Sequence, residues 1–113
     1  MPQVNIMLAQ KVDDATKNDL QLEIGANMNL LPTKTIDNTI ICILDGHSMF
    51  KSGQPLDGAF VDVRLYKALP EAGKKAFAEK MYSILKSILN IESKGIYMNF
   101  IELDHWASGG EYY

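Results

Sequence analysis

Hydrophobic positions along this chain fall into runs with strand periodicity and runs with helix periodicity, and the two kinds alternate. Residues 3–8 are mostly apolar and β-compatible, with Asn5 the main interruption, and predict a first strand open to burial on both faces. Asp13-Asp14 suits an N-cap; beyond it Leu20, Ile24, Met28 and Leu31 recur at spacings of four, four and three until Pro32 stops the pattern. That spacing predicts a helix, weakened by Gly25. Residues 39–45 form a β-branched run closed by the turn dipeptide Asp45-Gly46, which reads as a central strand. The stretch 47–58 carries Gly53, Pro55 and Gly58 and predicts a loop, with room for a short edge strand around residues 48–50.

The second half repeats the alternation. In residues 60–66, Val61, Val63 and Leu65 point one way and Phe60, Asp62, Arg64 and Tyr66 the other. Pro70 suits the first turn of a helix, and Phe77, Met81, Ile84, Leu85, Ile88 and Leu89 follow at helical spacing up to Asn90. Residues 96–103 predict a last strand in which Ile96, Met98 and Phe100 oppose Tyr97, Asn99 and Ile101. Two β-α-β units in tandem imply an α/β fold, with a four-stranded sheet and both helices on one face, because β-α-β crossovers are right-handed. A ferredoxin-like sandwich gives a similar pattern of elements. Either way, the mixed face of residues 60–66 needs solvent or a partner sheet, a first indication of an oligomer.

Composition narrows the class. A chain of 113 residues is a single domain, 1–113, and its 47% hydrophobic and 22% charged residues suit an ordinary globular core. Eleven Lys and Arg against fourteen Asp and Glu, with no basic cluster interleaved with aromatics, argue against nucleic acid as a partner. Cys42 is the one cysteine; lying in the apolar run of residues 40–44, it packs as a small hydrophobe. No run approaches the roughly 20 apolar residues of a membrane span and no signal-peptide pattern is present, so a cytoplasmic location and no membrane partner are expected. His47 and His105 lack a ligand constellation, and no metal site is expected. A phosphate-cradling Gly-rich loop and a Gly-x-Ser-x-Gly elbow are also absent from the sequence.

Pro2 follows Met1, Lys34 lies after the first helix, and Met49-Phe50 with Gly53 forms the loop after strand two. Ile91 precedes Gly95-Ile96-Tyr97-Met98-Asn99-Phe100, and Trp106-Ala107-Ser108-Gly109-Gly110 lies near the end. In order and spacing this set resembles the tautomerase superfamily, in particular the group of the macrophage migration inhibitory factor, over nearly the whole chain. The resemblance implies a homotrimer with active sites at subunit interfaces, acting on small-molecule substrates without a cofactor. It implies Pro2 as catalytic base, Lys34 and Tyr66 lining the pocket from the same subunit, Tyr97 and Asn99 from a neighbour, and Trp106 in an aromatic rim. Gly58 and Val61 stand where that group has Cys-x-x-Cys, so a thiol-redox role is not implied. The stretch from Gly53-Gln54 through Ala59-Phe60-Val61 is also similar, over a shorter span, to the superfamily's 5-carboxymethyl-2-hydroxymuconate isomerases.

The chemistry of these residue types agrees with that reading. Once Met1 is removed, Pro2 carries a secondary amine; ordinary α-amino groups titrate near ~8, within reach of a working base. An apolar pocket and the Lys34 cation would both favour its neutral form. Lys34 can bind a carboxylate and stabilise an enolate oxygen, while Arg64 with Asp62 reads as an ion pair between subunits. The expected activity is keto-enol tautomerisation of small α-keto acids of the phenylpyruvate kind. The alternatives are a non-catalytic, cytokine-like trimeric binding protein and a muconate-type isomerase.

Overall fold

The computed structural model describes residues 1–113. Its elements in chain order are β1 (Gln3–Leu8), α1 (Asp14–Ala26), β2 (Ile40–Leu44), β3 (Phe50–Lys51), β4 (Gln54–Pro55), β5 (Ala59–Tyr66), α2 (Glu71–Leu89), β6 (Ile96–Leu103), β7 (Ala107–Ser108) and β8 (Glu111–Tyr112). The main sheet has the order β2-β1-β5-β6: β1 and β2 are parallel, β5 and β6 are parallel, and the two units meet antiparallel along β1 and β5. The tandem β-α-β reading is therefore the architecture observed.

The period-two pattern decides which face is buried. Val4, Ile6 and Leu8 of β1 and Val61, Val63 and Leu65 of β5 are fully buried against Leu20 and Ile24 of α1 and Phe77, Met81 and Leu85 of α2. Helix α1 opens on Asp13, whose Oδ1 accepts the Thr16 N–H at 2.8 Å, and α2 starts after Pro70 and closes on Asn90 in the left-handed conformation at φ 56°.

Four expectations change. Residues 40–44 form an edge strand and not a central one, because β1 and β5 pair with each other and push each unit's second strand outward; Ile40 and Leu44 are exposed while Ile41 and Ile43 pack on the core. Strand β1 is buried on one face only, and Met7 on the other face is exposed. Helix α1 ends at Ala26; Met28 and Leu31 still reach the core through a 3-10 turn, Met28–Leu30. Gly25 is a packing device, since a Cβ there would lie 2.4 Å from Ile36 Cδ1. Finally, the short strand after β2 is displaced to a hairpin, β3 with β4, turned by Ser52 and Gly53, both at positive φ.

The opposite sheet face carries no helix. Register places Ile40, Cys42 and Leu44, then Gln3, Asn5 and Met7, then Phe60, Asp62, Arg64 and Tyr66, then Tyr97, Asn99, Ile101 and Leu103 across it. No helix is long and apolar enough to cross a membrane.

Candidate active site

The residues singled out from the sequence lie at two positions along the sheet. Pro2 is buried at the head of β1, where its carbonyl accepts the Ile40 N–H at 3.1 Å. Lys34 follows the 3-10 turn, which Thr33 leaves with φ 69°, and its N–H is held by the Leu31 carbonyl at 3.0 Å. It is the one charged side chain buried in the chain, at 9% exposure. The terminal amine at Met1 lies against it: burial first, then the charge and hydrogen bond of Lys34, lower that amine's pKa from 8.0.

Tyr66 ends β5 at the same end of the sheet, since Gln3 pairs with Arg64 and the strands are antiparallel. Its ring meets Tyr113 at 5.6 Å between centroids, and Lys67 Nζ lies 5.1 Å from its centroid. Tyr113 is tied to Trp106 by an N–H to carbonyl bond of 2.8 Å, which brings the β7–β8 tail and Trp106 to Tyr66. Pro2, Lys34, Tyr66 and Trp106 thus belong to one end of the fold.

Tyr97 and Asn99 belong to another part of it. Tyr97 pairs with Phe60, and Phe60 pairs with Met7, so five strand positions separate Tyr97 from the row of Glu102 and Leu65 beside Pro2, about 17 Å. No small substrate can touch Pro2 and Tyr97 of one chain.

Asn99 sits beside Asp62 on the open face. Burial disfavours the Asp62 carboxylate, yet hydrogen bonds from Arg64 (Nε to Oδ2, 3.0 Å) and Asn5 (Nδ2 to Oδ2, 3.3 Å), with a further one from Asn99, hold its pKa below the usual carboxylate value. Asp62 and Arg64 are therefore an ion pair within one chain, contrary to the inter-subunit pairing expected. Asn99 Oδ1 is buried and has no partner, an orphan of the kind that a ligand or a second surface satisfies.

Two concave clefts of the chain lie away from Pro2 and Lys34. One of about 400 Å³ runs under the β3–β4 hairpin past Gln10, His47 and Asp57; another, of about 380 Å³, adjoins Tyr97 and is lined by Lys51, Asp57, Glu92 and Lys94. Sequence reasoning gave no role to Tyr113 or Lys51. The tyrosine pair at the end of the chain was visible, but nothing in spacing says that a hairpin will lay Lys51 on Tyr97.

Many solved structures resemble nearly the whole chain, three of them as follows. MIF2 of Leishmania major superposes with a TM-score of 0.92 at 17% identity, covering 100% of this chain and 97% of that one. The chain carries the tautomerase fold, in its macrophage migration inhibitory factor-like form. Pt0534, solved after inactivation by 2-oxo-3-pentynoate, matches at TM-score 0.84 and 11% identity over 96% of this chain and 93% of that one. A fused 4-OT solved as an asymmetric trimer matches at 0.81 and 16%, over 96% and 94%. No family model matches the chain, and no curated protein matches it by sequence. At these identities the tautomerase fold is what is shared, and the site must be argued from its own residues.

Proposed function

We propose that this protein is a cofactor-independent keto-enol tautomerase acting on small α-keto acids of the phenylpyruvate kind, with Pro2 as general base once Met1 has been removed. The observation that carries this reading is the buried Lys34 beside the chain's first amine. Two cations brought together are costly, the more so as Lys34 is buried, and the pair is relieved when the amine is neutral, the form that accepts a proton. Removing Met1 transfers that setting to the Pro2 nitrogen, which is otherwise an amide without basicity. Pro2 then takes the proton from the carbon next to the keto group, and Lys34 binds the carboxylate and the enolate oxygen that develops.

The site is completed by a second copy of the chain. The 17 Å offset, about five residues of strand, keeps Tyr97 and Asn99 from their own Pro2. The helix-free sheet face exposes Met7, Ile40, Leu44 and Phe60 and leaves Asn99 Oδ1 unpaired. A homotrimer in which these faces line a common interior supplies Tyr97 and Asn99 to the neighbour's Pro2 and Lys34; the fused 4-OT with the same fold is itself a trimer. Tyr66 and Trp106 then form the aromatic wall of the pocket.

The test is phenylpyruvate tautomerisation by Met1-free protein. Pro2→Gly is expected to reduce kcat/KM by about 10²-fold or more, the range of a lost general base, and protein that keeps Met1 is expected to be inactive. Pro2→Gly protein running at the wild-type rate, or a monomer by sedimentation, refutes the proposal.

A further inference from the structure

We infer that Lys51 is a specificity-determining residue that selects keto acids carrying a second negative charge at the end remote from the 2-carboxylate. The inference rests on the proposed tautomerase site and adds the substrate class that this site prefers.

Lys51 belongs to the two-residue strand β3 and is fully exposed along its backbone hairpin, yet its Nζ is held over the Tyr97 ring, 5.4 Å from the centroid. The Tyr97 hydroxyl takes part in the same contact, and the hydrogen bond to it, then its charge, raise the Lys51 pKa from 10.5, so the side chain stays an ammonium throughout the physiological range. Lys51 and Tyr97 line the same cleft with Asp57, Glu92 and Lys94. Glu92 is engaged by Lys86. With Lys86 counted, Lys51, Lys94 and Lys86 stand against Asp57 and Glu92, whose carboxylate also feels Lys94, which leaves one positive charge in excess on the wall that carries Tyr97.

The consequence for the substrate follows from where the two cations stand. Lys34 lies with Pro2 at one end of the sheet, and Lys51 travels with Tyr97, which a single chain keeps about 17 Å from that end. In a trimer Lys51 therefore reaches the pocket only with the neighbour's Tyr97, on the side facing Lys34. A substrate whose keto-acid carboxylate is on Lys34 presents its far end to Tyr97 and Lys51. A neutral ring there meets the tyrosine alone, whereas a carboxylate meets an ammonium already oriented by the ring.

Two probe pairs test this. For turnover by Met1-free protein, phenylpyruvate is compared with 4-carboxyphenylpyruvate; for binding without chemistry, benzoate is compared with terephthalate by NMR titration. The wild type is expected to favour the doubly charged member of each pair. Lys51→Ala should reduce that preference by about tenfold, the range of a charge-assisted contact, Lys51→Arg should restore most of it, and Lys51→Glu should invert it. A preference that is the same in wild type, Lys51→Ala and Lys51→Glu overturns the inference, as does equal loss for both members of a pair, which marks a structural role only. Wild-type turnover by Pro2→Gly protein would remove the tautomerase reading, and the benzoate and terephthalate comparison would still decide the role of Lys51.

Discussion

Gly58 immediately precedes β5, and the structure supplies a physical reason why this chain has no side chain there. A Cβ built on Gly58 lies 2.2 Å from the Gly95 carbonyl oxygen and 3.2 Å from its carbon. Ordinary contact begins near 3.4 Å, so more than 1 Å must be recovered, and the obstacle is backbone at the start of β6. Gly58 cannot retreat easily either, because its own carbonyl accepts the Ala9 N–H at 3.1 Å from the far side. Gly58→Ala should therefore cost about 2 kcal/mol, in the range for overpacking where no flexible side chain can yield. With an unfolding entropy of about 2.1 cal/mol/K per residue, roughly 0.24 kcal/mol/K for this chain, that lowers Tm by about 8 °C. Gly95→Ala is the internal control: its Cβ meets nothing closer than the Asp57 carbonyl at 3.4 Å, and neither glycine has a positive φ. The assay is thermal and urea unfolding of both variants at one protein concentration, which keeps any assembly contribution equal. If Gly58→Ala changes stability by less than about 0.5 kcal/mol, or no more than Gly95→Ala does, the close approach is not a constraint and the reasoning fails. Because Tyr97 lies two residues beyond Gly95, loss of activity in Gly58→Ala beyond the loss of folded protein would mark a displaced β6.

Two further outcomes are expected. The rate of Met1-free protein should fall as pH drops through the pKa of the Pro2 amine, because the neutral amine is the active form; in the chain that carries Met1, burial first and then Lys34 lower the terminal amine's pKa, and if Lys34 acts on Pro2 in the same way Lys34→Gln should move the inflection upward, whereas an unmoved inflection in the pH profile would contradict the coupling. Glu102 Oε2 accepts the Leu69 N–H at 2.7 Å and pairs with Lys74 at 3.0 Å, which lowers its pKa from 4.5, so its contribution to stability is present above 4.5 and is lost as pH falls through the lowered folded value; Glu102→Gln should be less stable than wild type at pH 7 and converge with it in acid, as urea titrations at several pH values would reveal.

Much of the fold could be read from the order of residues because burial imposes a local period. Val61, Val63 and Leu65 alternate with charge since one face of β5 meets the helices, and Phe77 to Leu89 recur at helical spacing for the same reason. Local chemistry also marked Asp13 and Asn90 as helix ends. The pattern of residues 39–45 was misleading as to position: a β-branched run signals a strand, but whether that strand is central or at an edge depends on which other strand pairs with β1.

The site divides along the same line. Sequence by itself determined two β-α-β units, a bare sheet face, and the residue types at positions 2, 34, 66, 97, 99 and 106, because each is a matter of local pattern or of motif spacing. Tertiary structure alone decided that Lys34 is buried beside the chain's first amine, that Tyr66 and Trp106 join that end through Tyr113, and that Asp62 holds Arg64 within the chain. It also decided that Tyr97 lies five strand positions, about 17 Å along the sheet, from the row of Pro2, with Lys51 on its ring. These are distances between residues far apart in sequence, set by strand register and loop closure, and no periodicity along the chain encodes them.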